Sequence, residues 1–427
     1  MSKLTPESCY SSPGSLDGVA QEENPHGVQE AEVVVGIYSC NEADTIPFVA
    51  EQAAIGLKTY FPQYRSVLIN CDNSFRDGTR DAFFSAPGEA PRIYLSSASG
   101  AKGKGNSIRD LLRKVIDLKA RVAVVVDANL RSITPRWIKH LGEPVLGSVG
   151  FVAPIYVRPK FDGTTTNHIS CPFIRAMYGR RIWQPNGSEC SFSGDMARHF
   201  MESSLWDPHV LSSGIHVWMT TLALNSPFPV AQAFLGGPKI HKARVHPGAG
   251  FDTLFVDVVS TILRLLEPFE ATWTQVLWSK PTPIFGFGLK EVEIPPPPEL
   301  EEEWFFKEFV NGCRRNEALY RQVLSEEVCL ETERQSRLTL EQFELSAPLW
   351  AKIVYDFAIG FQTHRWMGDD LVRSMIPLYL GRTGTLVKAT RGGQVREVED
   401  WLEEQCVVFE ESKPYLLGRW EEVKKLH

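Results

Sequence analysis

Apolar runs alternate with amphipathic segments along the first part of the chain. VVVGIY (Val33 to Tyr38), RSVLINCD (Arg65 to Asp72) and ARVAVVVDAN (Ala120 to Asn129) are nearly continuous apolar runs, which is typical of strands covered on both faces. Segments with apolar residues at helical spacing lie between them, such as TIPFVAEQAAIGLKTYF and SIRDLLRKVIDL. Strands that alternate with helices of this length predict βαβ units and a largely parallel sheet.

The pattern changes along the rest of the chain. Residues 151 to about 290 mix a β-rich stretch with one predicted helix over 251–266, and the run Pro295 to Pro298 predicts a polyproline II segment that marks a boundary or a strap. Beyond it, WFFKEFV, ALYRQVL, LWAKIVYDFAIGF and VEDWLEEQCVVF have helical spacing. We therefore expect a disordered leader over 1–30, an α/β domain over 31–290 and a mainly helical domain over 291–427.

Charge and cysteine usage exclude several classes of protein. A formal net charge of -7 and a pI near 5.9 argue against a nucleic-acid binder, which needs a surplus of Lys and Arg. The chain shows no apolar signal-peptide core, and its longest β-branched apolar run, VAVVV, is far too short for a membrane span. The cysteines are scattered without a CxxC pair, which favours free thiols and a cytoplasmic location over zinc ribbons.

Polar loops follow the predicted strands, and ligands bind at the carboxyl ends of strands in sheets of this kind. Ser39 to Glu42 follows the first strand, although helix capping alone would explain its short polar side chains. Asp72 to Thr79 follows the second strand and offers groups that could hold a base or a ribose, although turn chemistry explains much of it too. Both loops are candidates for nucleotide binding.

Two further segments point more directly to phosphate and metal chemistry. Ser99 to Asn106 combines three glycines with Lys102 and Lys104 before a helix, a pattern that favours an anion over a plain flexible turn. It matches neither GxxxxGK[ST] nor GxGxxG. Asp127-Ala128-Asn129 follows the most apolar strand, where a carboxylate and an amide can offer oxygens to a hard divalent cation. The alternative is an Asx turn that ends the strand.

The order of these segments resembles a known family. GIYSCNEADTI, INCDNSFRDGT, GKGNSIRDLL, VVVDANLRSITPRWI, QPNGSE and PKIHKAR occur in the order found in nucleotide-sugar-dependent glycosyltransferases of the GT-A fold. Within that fold the chain is most similar to the retaining mannosylglycerate synthases and glucosyl-3-phosphoglycerate synthases. The resemblance covers about residues 33–266. It implies a Rossmann-like mixed sheet and a catalytic domain over 31–290.

The resemblance assigns roles to individual residues. It implies that a nucleotide sugar is held by Ser39, Asn41, Glu42, Asp72, Ser74, Lys104, Asp127 and Ala128. It implies that Mg²⁺ or Mn²⁺ is bound by Asp127, Asn129 and His241. It implies that a glycerate-like acceptor is bound by Arg158, Thr166 and Asn167. The reaction centre is expected to be lined by Gly187 and Glu189 of the QPNGSE segment, together with His216.

The chain departs from the family pattern at two positions. Asn129 stands where the second acid of the metal motif is expected, and His216 stands where an acid is expected after Gly-Ile. Each change removes a negative charge. We therefore expect a metal-dependent retaining hexosyltransferase acting from GDP-mannose or UDP-glucose on glycerate, phosphoglycerate or a similar hydroxy acid. The alternative is a catalytically silent nucleotide-sugar binder of the same fold. A homodimer is an open assembly hypothesis.

Overall fold

The computed structural model describes residues 20–73, 77–98, 101, 103–242, 250–286 and 300–426. The chain divides into two compact units. The first takes in the described residues up to Val157, those from Ile182 to Val258 and those from Thr282 to 286. The second takes in Arg158–Arg181, Val259–Pro281 and the described residues from 300 onward. This grouping is discontinuous, whereas the boundary near residue 290 drawn from the sequence is contiguous.

The first unit contains a mixed sheet whose strand order, in the described residues, is β1-β4-β3-β2-β5-β7-β6-β8-β9. The strands are β1 (Gln21–Glu23), β2 (Val33–Ser39), β3 (Ser66–Asp72), β4 (Arg92–Ser96), β5 (Val122–Asp127), β6 (Phe151–Val157), β7 (Cys190–Ser193), β8 (Val230–Pro238) and β9 (Ile284–Phe285). β2, β3, β4 and β5 pair in parallel, as do β6, β8 and β9. The predicted α/β class with a mixed sheet is confirmed.

One reversed strand decides which residues reach the edge of the sheet where the parallel strands end. β7 lies between β5 and β6 and is antiparallel to both. The residues that precede β7 therefore lie at the same edge as the residues that follow β5 and β8. For this reason Glu189, which comes before its strand, lies at the same edge as Asp127, which ends its strand.

The helices of the described chain begin and end as follows: α1 (Ile46–Tyr60), α2 (Thr79–Ser85), α3 (Lys104–Asp117), α4 (Pro135–Leu146), α5 (Cys171–Tyr178), α6 (Gly194–Glu202), α7 (Ile215–Leu224), α8 (Phe251–Arg264), α9 (Glu270–Trp273), α10 (Glu302–Arg315), α11 (Glu317–Val323), α12 (Glu326–Gln335), α13 (Ala347–Thr363), α14 (Gly368–Ser374), α15 (Ile376–Ala389) and α16 (Val395–Leu426). Short π-helical segments span Thr166–Ser170 and Val210–Gly214. The predicted helical C-terminal region is confirmed. None of these helices combines the length and apolarity that a membrane crossing requires.

Each unit has its own apolar core. In the first, side chains of β2 and β5 pack against α1 and α4, with Trp137 and Phe61 fully buried between them. In the second, α13 packs on α16, and the buried Tyr355 donates a hydrogen bond to the carbonyl oxygen of Phe409 at 2.6 Å. Of the aromatic residues at helical spacing there, Trp350 and Phe357 are core residues, whereas Trp304 is exposed.

Two expectations need correction. The leader does not extend to residue 30, because Gln21–Glu23 forms β1 and pairs with β4. Two carboxylates of this strand also form ion pairs: Glu22 accepts from Lys114, and Glu23 pairs with Arg80. Free thiols are found at most described cysteines, but Cys40 is disulfide-bonded, so that expectation is wrong at Cys40. The prolines at 295–298 and the predicted nucleotide ligand Ser74 lie outside the described residues.

Candidate active site

Tyr38, Lys104 and Asp127 form a hydrogen-bonded cluster at the carboxyl ends of the central strands. The parallel register sets Tyr38 opposite Asp127. The Tyr38 hydroxyl donates to Asp127 Oδ2 at 2.8 Å, and Lys104 Nζ, from the first turn of α3, donates to the same oxygen at 3.1 Å. Asp127 Oδ1 accepts from the Asn129 backbone N–H at 3.2 Å. Burial opposes ionisation of Asp127, but Lys104, His241 and Lys239 outweigh it and lower the pKa to about 2.

A second buried ion pair lies on the other side of β5. Glu189 and Lys239 have side-chain exposures of 0% and 2%, and Lys239 Nζ donates to Glu189 Oε2 at 2.6 Å. Tyr156 of β6 donates to the same oxygen, and its ring lies 4.6 Å from the ammonium. Glu189 Oε1 is buried and has no hydrogen-bond partner in the described chain. The sequence analysis missed Lys239 and Tyr156; the signal for Lys239 was its place directly after a strand, in PKIHKAR.

His216, at the start of α7, is a buried histidine next to the first cluster. Its ring centroid lies 5.8 Å from that of Tyr38, and neither ring nitrogen has a hydrogen-bond partner among the described residues. Burial, with Lys104 and Lys239 nearby, lowers its pKa to about 3. His216 is therefore neutral near pH 7 and offers one N–H donor and one acceptor. Because unsatisfied buried polar atoms cost about 1–3 kcal/mol each, this arrangement is typical of a ligand site.

The predicted nucleotide ligands of β2 and its loop fall into two groups. Ser39 is buried and exchanges hydrogen bonds with Asn70, so its hydroxyl serves the sheet. Asn41 and Glu42 lie at the rim: Asn41 is exposed with a left-handed backbone, φ 62°, which asparagine tolerates. Glu42 is half-buried; burial raises its pKa, although Thr45 and Lys242 oppose this.

The other predicted ligands on β3 and β5 are held inside the fold. Asp72 is fully buried and accepts a hydrogen bond from the Tyr94 hydroxyl at 2.5 Å. Ala128 is buried, and its N–H donates to the Tyr38 carbonyl oxygen at 3.1 Å. These contacts explain both residues as parts of the sheet. Their proposed role in nucleotide binding stays a prediction.

Two glycines at the start of α3 permit close backbone packing. A Cβ on Gly103 would lie 2.5 Å from the Leu211 carbonyl oxygen, and one on Gly105 would lie 2.0 Å from that of Val210. The close approach that they permit is therefore to the backbone of the π-helical segment Val210–Gly214. This packing fixes the first turn of α3, from which Lys104 extends to Asp127.

Asn129 and His241 are brought together by backbone pairing. The Lys242 N–H donates to the Asn129 carbonyl oxygen at 3.0 Å, and Leu130 forms a β-bridge with His241. The His241 Nδ1 atom lies 2.8 Å from Asn129 Oδ1. Because an amide oxygen can only accept, this contact requires a proton on Nδ1, and the neutral ring then has its lone pair on Nε2. A metal ligand with its other nitrogen oriented in this way is a common arrangement.

The donor set fits a divalent cation only on one condition. Among the described residues, no three His, Cys, Asp or Glu side chains form a group that could hold a metal ion. The set is one carboxylate, one amide oxygen and one imidazole, so ligands from a substrate must complete it. An ion on Asp127 Oδ2 would also lie within about 5 Å of the Lys104 ammonium, a repulsion of about 6–7 kcal/mol at an effective dielectric constant of about 20. The residues fit the cation once Lys104 has left Asp127.

The remaining predicted residues are placed as follows. Gly187 permits a tight contact, since a Cβ there would lie 2.2 Å from the Pro154 ring. Arg158, Thr166 and Asn167 belong to the second unit. Arg158 lies 3.5 Å from Asp162, whose carbonyl oxygen accepts from the Asn167 amide at 3.3 Å. Thr166 begins the π-helical segment and is buried.

Solved structures similar to this chain are known, although its sequence matches no family model. No family model and no curated protein matches the sequence. Glucosyl-3-phosphoglycerate synthase from Mycobacterium tuberculosis, solved with Mn²⁺, UDP and glucosyl-3-phosphoglycerate, is 19% identical with a TM-score of 0.42, covering 56% of this chain and 79% of that chain. The same enzyme solved with Mg²⁺ and UDP is 19% identical with a TM-score of 0.41, and the match covers 56% of this chain and 79% of that chain. A mycobacterial protein is 20% identical with a TM-score of 0.42, and the match covers 55% of this chain and 74% of that chain.

Proposed function

We propose that the chain is a nucleotide-sugar-dependent glycosyltransferase that transfers a hexosyl group to a small hydroxy acid such as phosphoglycerate or glycerate. One observation carries this proposal. Two lysine–carboxylate pairs, Lys104–Asp127 and Lys239–Glu189, lie at the edge of the sheet where the parallel strands end. Removing such charges from water is costly and seldom adds stability, so their concentration here favours a functional role.

The donor would bind at the Lys104 side of this edge. A nucleoside diphosphate carries charge that the Lys104 ammonium can neutralise through a charge-assisted hydrogen bond. The loop at the exposed Asn41 and the half-buried Glu42 is the proposed contact for the nucleoside. UDP-glucose and GDP-mannose are both compatible with this arrangement.

The reaction would proceed on one face of the sugar. Both oxygens of Asp127 already accept hydrogen bonds, which argues against that carboxylate as a covalent nucleophile. The bond from the sugar C1 to the diphosphate breaks, the acceptor hydroxyl attacks from the same face, and its proton leaves with the diphosphate. Glu189 Oε1 and neutral His216 would hold sugar or acceptor hydroxyls. A bound divalent cation would supply electrostatic stabilisation of the leaving diphosphate, next to Asp127.

The acceptor residues are proposed from the resemblance: Arg158, Thr166 and Asn167. A carboxylate or phosphate on the acceptor would pair with the Arg158 guanidinium. The cytoplasmic location and the homodimer also remain predictions from the sequence.

A donor panel tests the proposal. UDP-glucose and GDP-mannose are each incubated with 3-phosphoglycerate and with glycerate in Mn²⁺, and the product anomer is determined by NMR. Glu189→Gln should abolish transfer, whereas Glu89→Gln, at an exposed carboxylate paired with Lys58, should leave it unchanged. Transfer with inversion of the anomer would contradict the same-face reaction.

A silent nucleotide-sugar binder is the second candidate. It is favoured by the neutral His216, which stands where the family has an acid. In that case a nucleotide sugar would raise the melting temperature by ligand linkage, but no product would form with any acceptor. Product formation by the wild type would exclude it.

A further inference from the structure

Lys104 forms an ion pair with Asp127, the carboxylate on which the proposed cation site depends. Asp127 is the sole carboxylate among the three predicted ligands, and its Oδ2 accepts from both Lys104 and Tyr38. The second position of the motif is the neutral Asn129. The charge of the donor set is therefore one negative unit, which the Lys104 ammonium cancels. A dication that arrives alone meets no net attraction from these residues.

We propose that Lys104 is an exchangeable counter-ion of Asp127, which leaves that carboxylate for the donor diphosphate and thereby makes cation binding obligatorily coupled to nucleotide binding. The inference rests on the proposed function. In the free protein the ammonium holds the place of the cation. In the complex it would pair with phosphate oxygens, and Asp127 would be left to hold the cation.

Lys104 and Lys239 differ in the exposure that the exchange requires. The Lys239 side chain is 2% exposed and its partner Glu189 is 0% exposed, so that pair is enclosed. The Lys104 side chain is 28% exposed, and its four-carbon stem can turn without movement of the backbone. Lys104 is therefore the mobile charge of the site, and Lys239 is the fixed one.

The backbone at Lys104 would stay in place during the exchange. Gly103 and Gly105, on either side of it, pack directly on the backbone of Leu211 and Val210. Tyr38 keeps its hydrogen bond to Asp127 because the strand register fixes it. A small movement of one side chain would thus open the carboxylate without any change in the fold.

Titrations of Mn²⁺, followed by the electron paramagnetic resonance signal of the free ion, test this inference. Wild type should bind Mn²⁺ alone at least tenfold more weakly than it does with UDP or GDP present. Lys104→Met should bind Mn²⁺ alone at least tenfold more tightly than wild type, because Asp127 is released. By calorimetry, the same variant should bind the nucleotide at least tenfold more weakly. Opposite changes from a single substitution distinguish exchange from a general loss of function.

Two further variants serve as controls. Lys242→Met removes the same charge from the rim, where Lys242 Nζ contacts Asp44 at 2.6 Å, and it should leave Mn²⁺ affinity close to that of wild type. Lys104→Arg keeps the charge and should bind Mn²⁺ alone as weakly as wild type does. Thermal unfolding of each variant shows that it is folded.

The outcomes separate this inference from the proposed function. Unchanged Mn²⁺ affinity in Lys104→Met, or equally tight Mn²⁺ binding by wild type with and without nucleotide, would overturn the exchange and leave glycosyl transfer standing. If wild type binds neither UDP nor GDP, with or without Mn²⁺, both the exchange and the proposed function are overturned.

Discussion

Replacing Lys239 by methionine should destabilise the protein strongly, because it leaves Glu189 buried without its partner. The two side chains are 2.6 Å apart and almost fully enclosed. Breaking a buried pair by removing one member costs about 3–5 kcal/mol, mostly from the carboxylate that is left unpaired. With about 2–4 °C per kcal/mol for a unit of this size, the melting temperature should fall by about 6–20 °C. Scanning calorimetry and urea unfolding measure the loss.

A double-variant cycle isolates the interaction between the two charges. Lys239→Met with Glu189→Leu removes both charges and should recover most of the stability that the single substitution loses. Lys58→Met is the matched control, because its ion pair with Glu89 is exposed, and it should change stability by less than about 1 kcal/mol. A melting temperature within 2 °C of wild type for Lys239→Met would refute the assignment of a buried, mutually dependent pair.

Three further predictions concern stability. The His216 pKa is about 3 in the folded protein and near 6.5 in the unfolded chain, so the free energy of unfolding is highest above pH 6.5 and falls by about 1.4 kcal/mol per pH unit on acidification below it. Urea unfolding at pH 5 and 7 should show a smaller loss of stability for His216→Gln than for wild type. Gly105→Ala should lower stability by about 1–3 kcal/mol through overpacking. Gly418→Ala in α16, where a Cβ meets nothing within 4 Å, should raise stability by about 0.5–1 kcal/mol. Calorimetry that gives the same sign for both changes would contradict this. A chain starting at Ala31 lacks β1 and should melt below one starting at Ala20; equal melting temperatures would show that β1 adds nothing.

The fold was predictable from the sequence where the apolar pattern of a segment matches the period of its secondary structure. β2, β3 and β5 are apolar runs, and their neighbouring helices have the expected spacing, so the parallel core followed from the sequence. β1 was not predictable: QEE has no strand pattern, because it is a short charged edge strand that depends on β4 and on ion pairs with Arg80 and Lys114.

The candidate site was predictable only in part, for a geometric reason. Asp127 and Lys104 follow from the rule that ligands lie at the carboxyl ends of parallel strands. Lys239 and Tyr156 do not, because their importance comes from contact with Glu189, which reaches the edge through a reversed strand. The packing of Gly105 was not predictable either, since a glycine that permits close backbone packing looks the same in sequence as one that permits ligand approach.

The pairing of β5 with β7 also gives the site an order of assembly. Tyr38, Lys104 and Asp127 lie within the first 127 residues, and Glu189 and Lys239 come from a later stretch of the chain. During synthesis, Tyr38 and Asp127 can come together once β5 has left the ribosome, since the early parallel strands pair among themselves. Lys104 is fixed later, when Gly103 and Gly105 pack on the backbone of Leu211 and Val210. Glu189 joins the site only when β7 docks on β5 at residues 122–125. The four charges of the candidate site are therefore complete only late in folding, and a nascent chain that ends before residue 189 would carry Lys104 and Asp127 without Glu189 and Lys239.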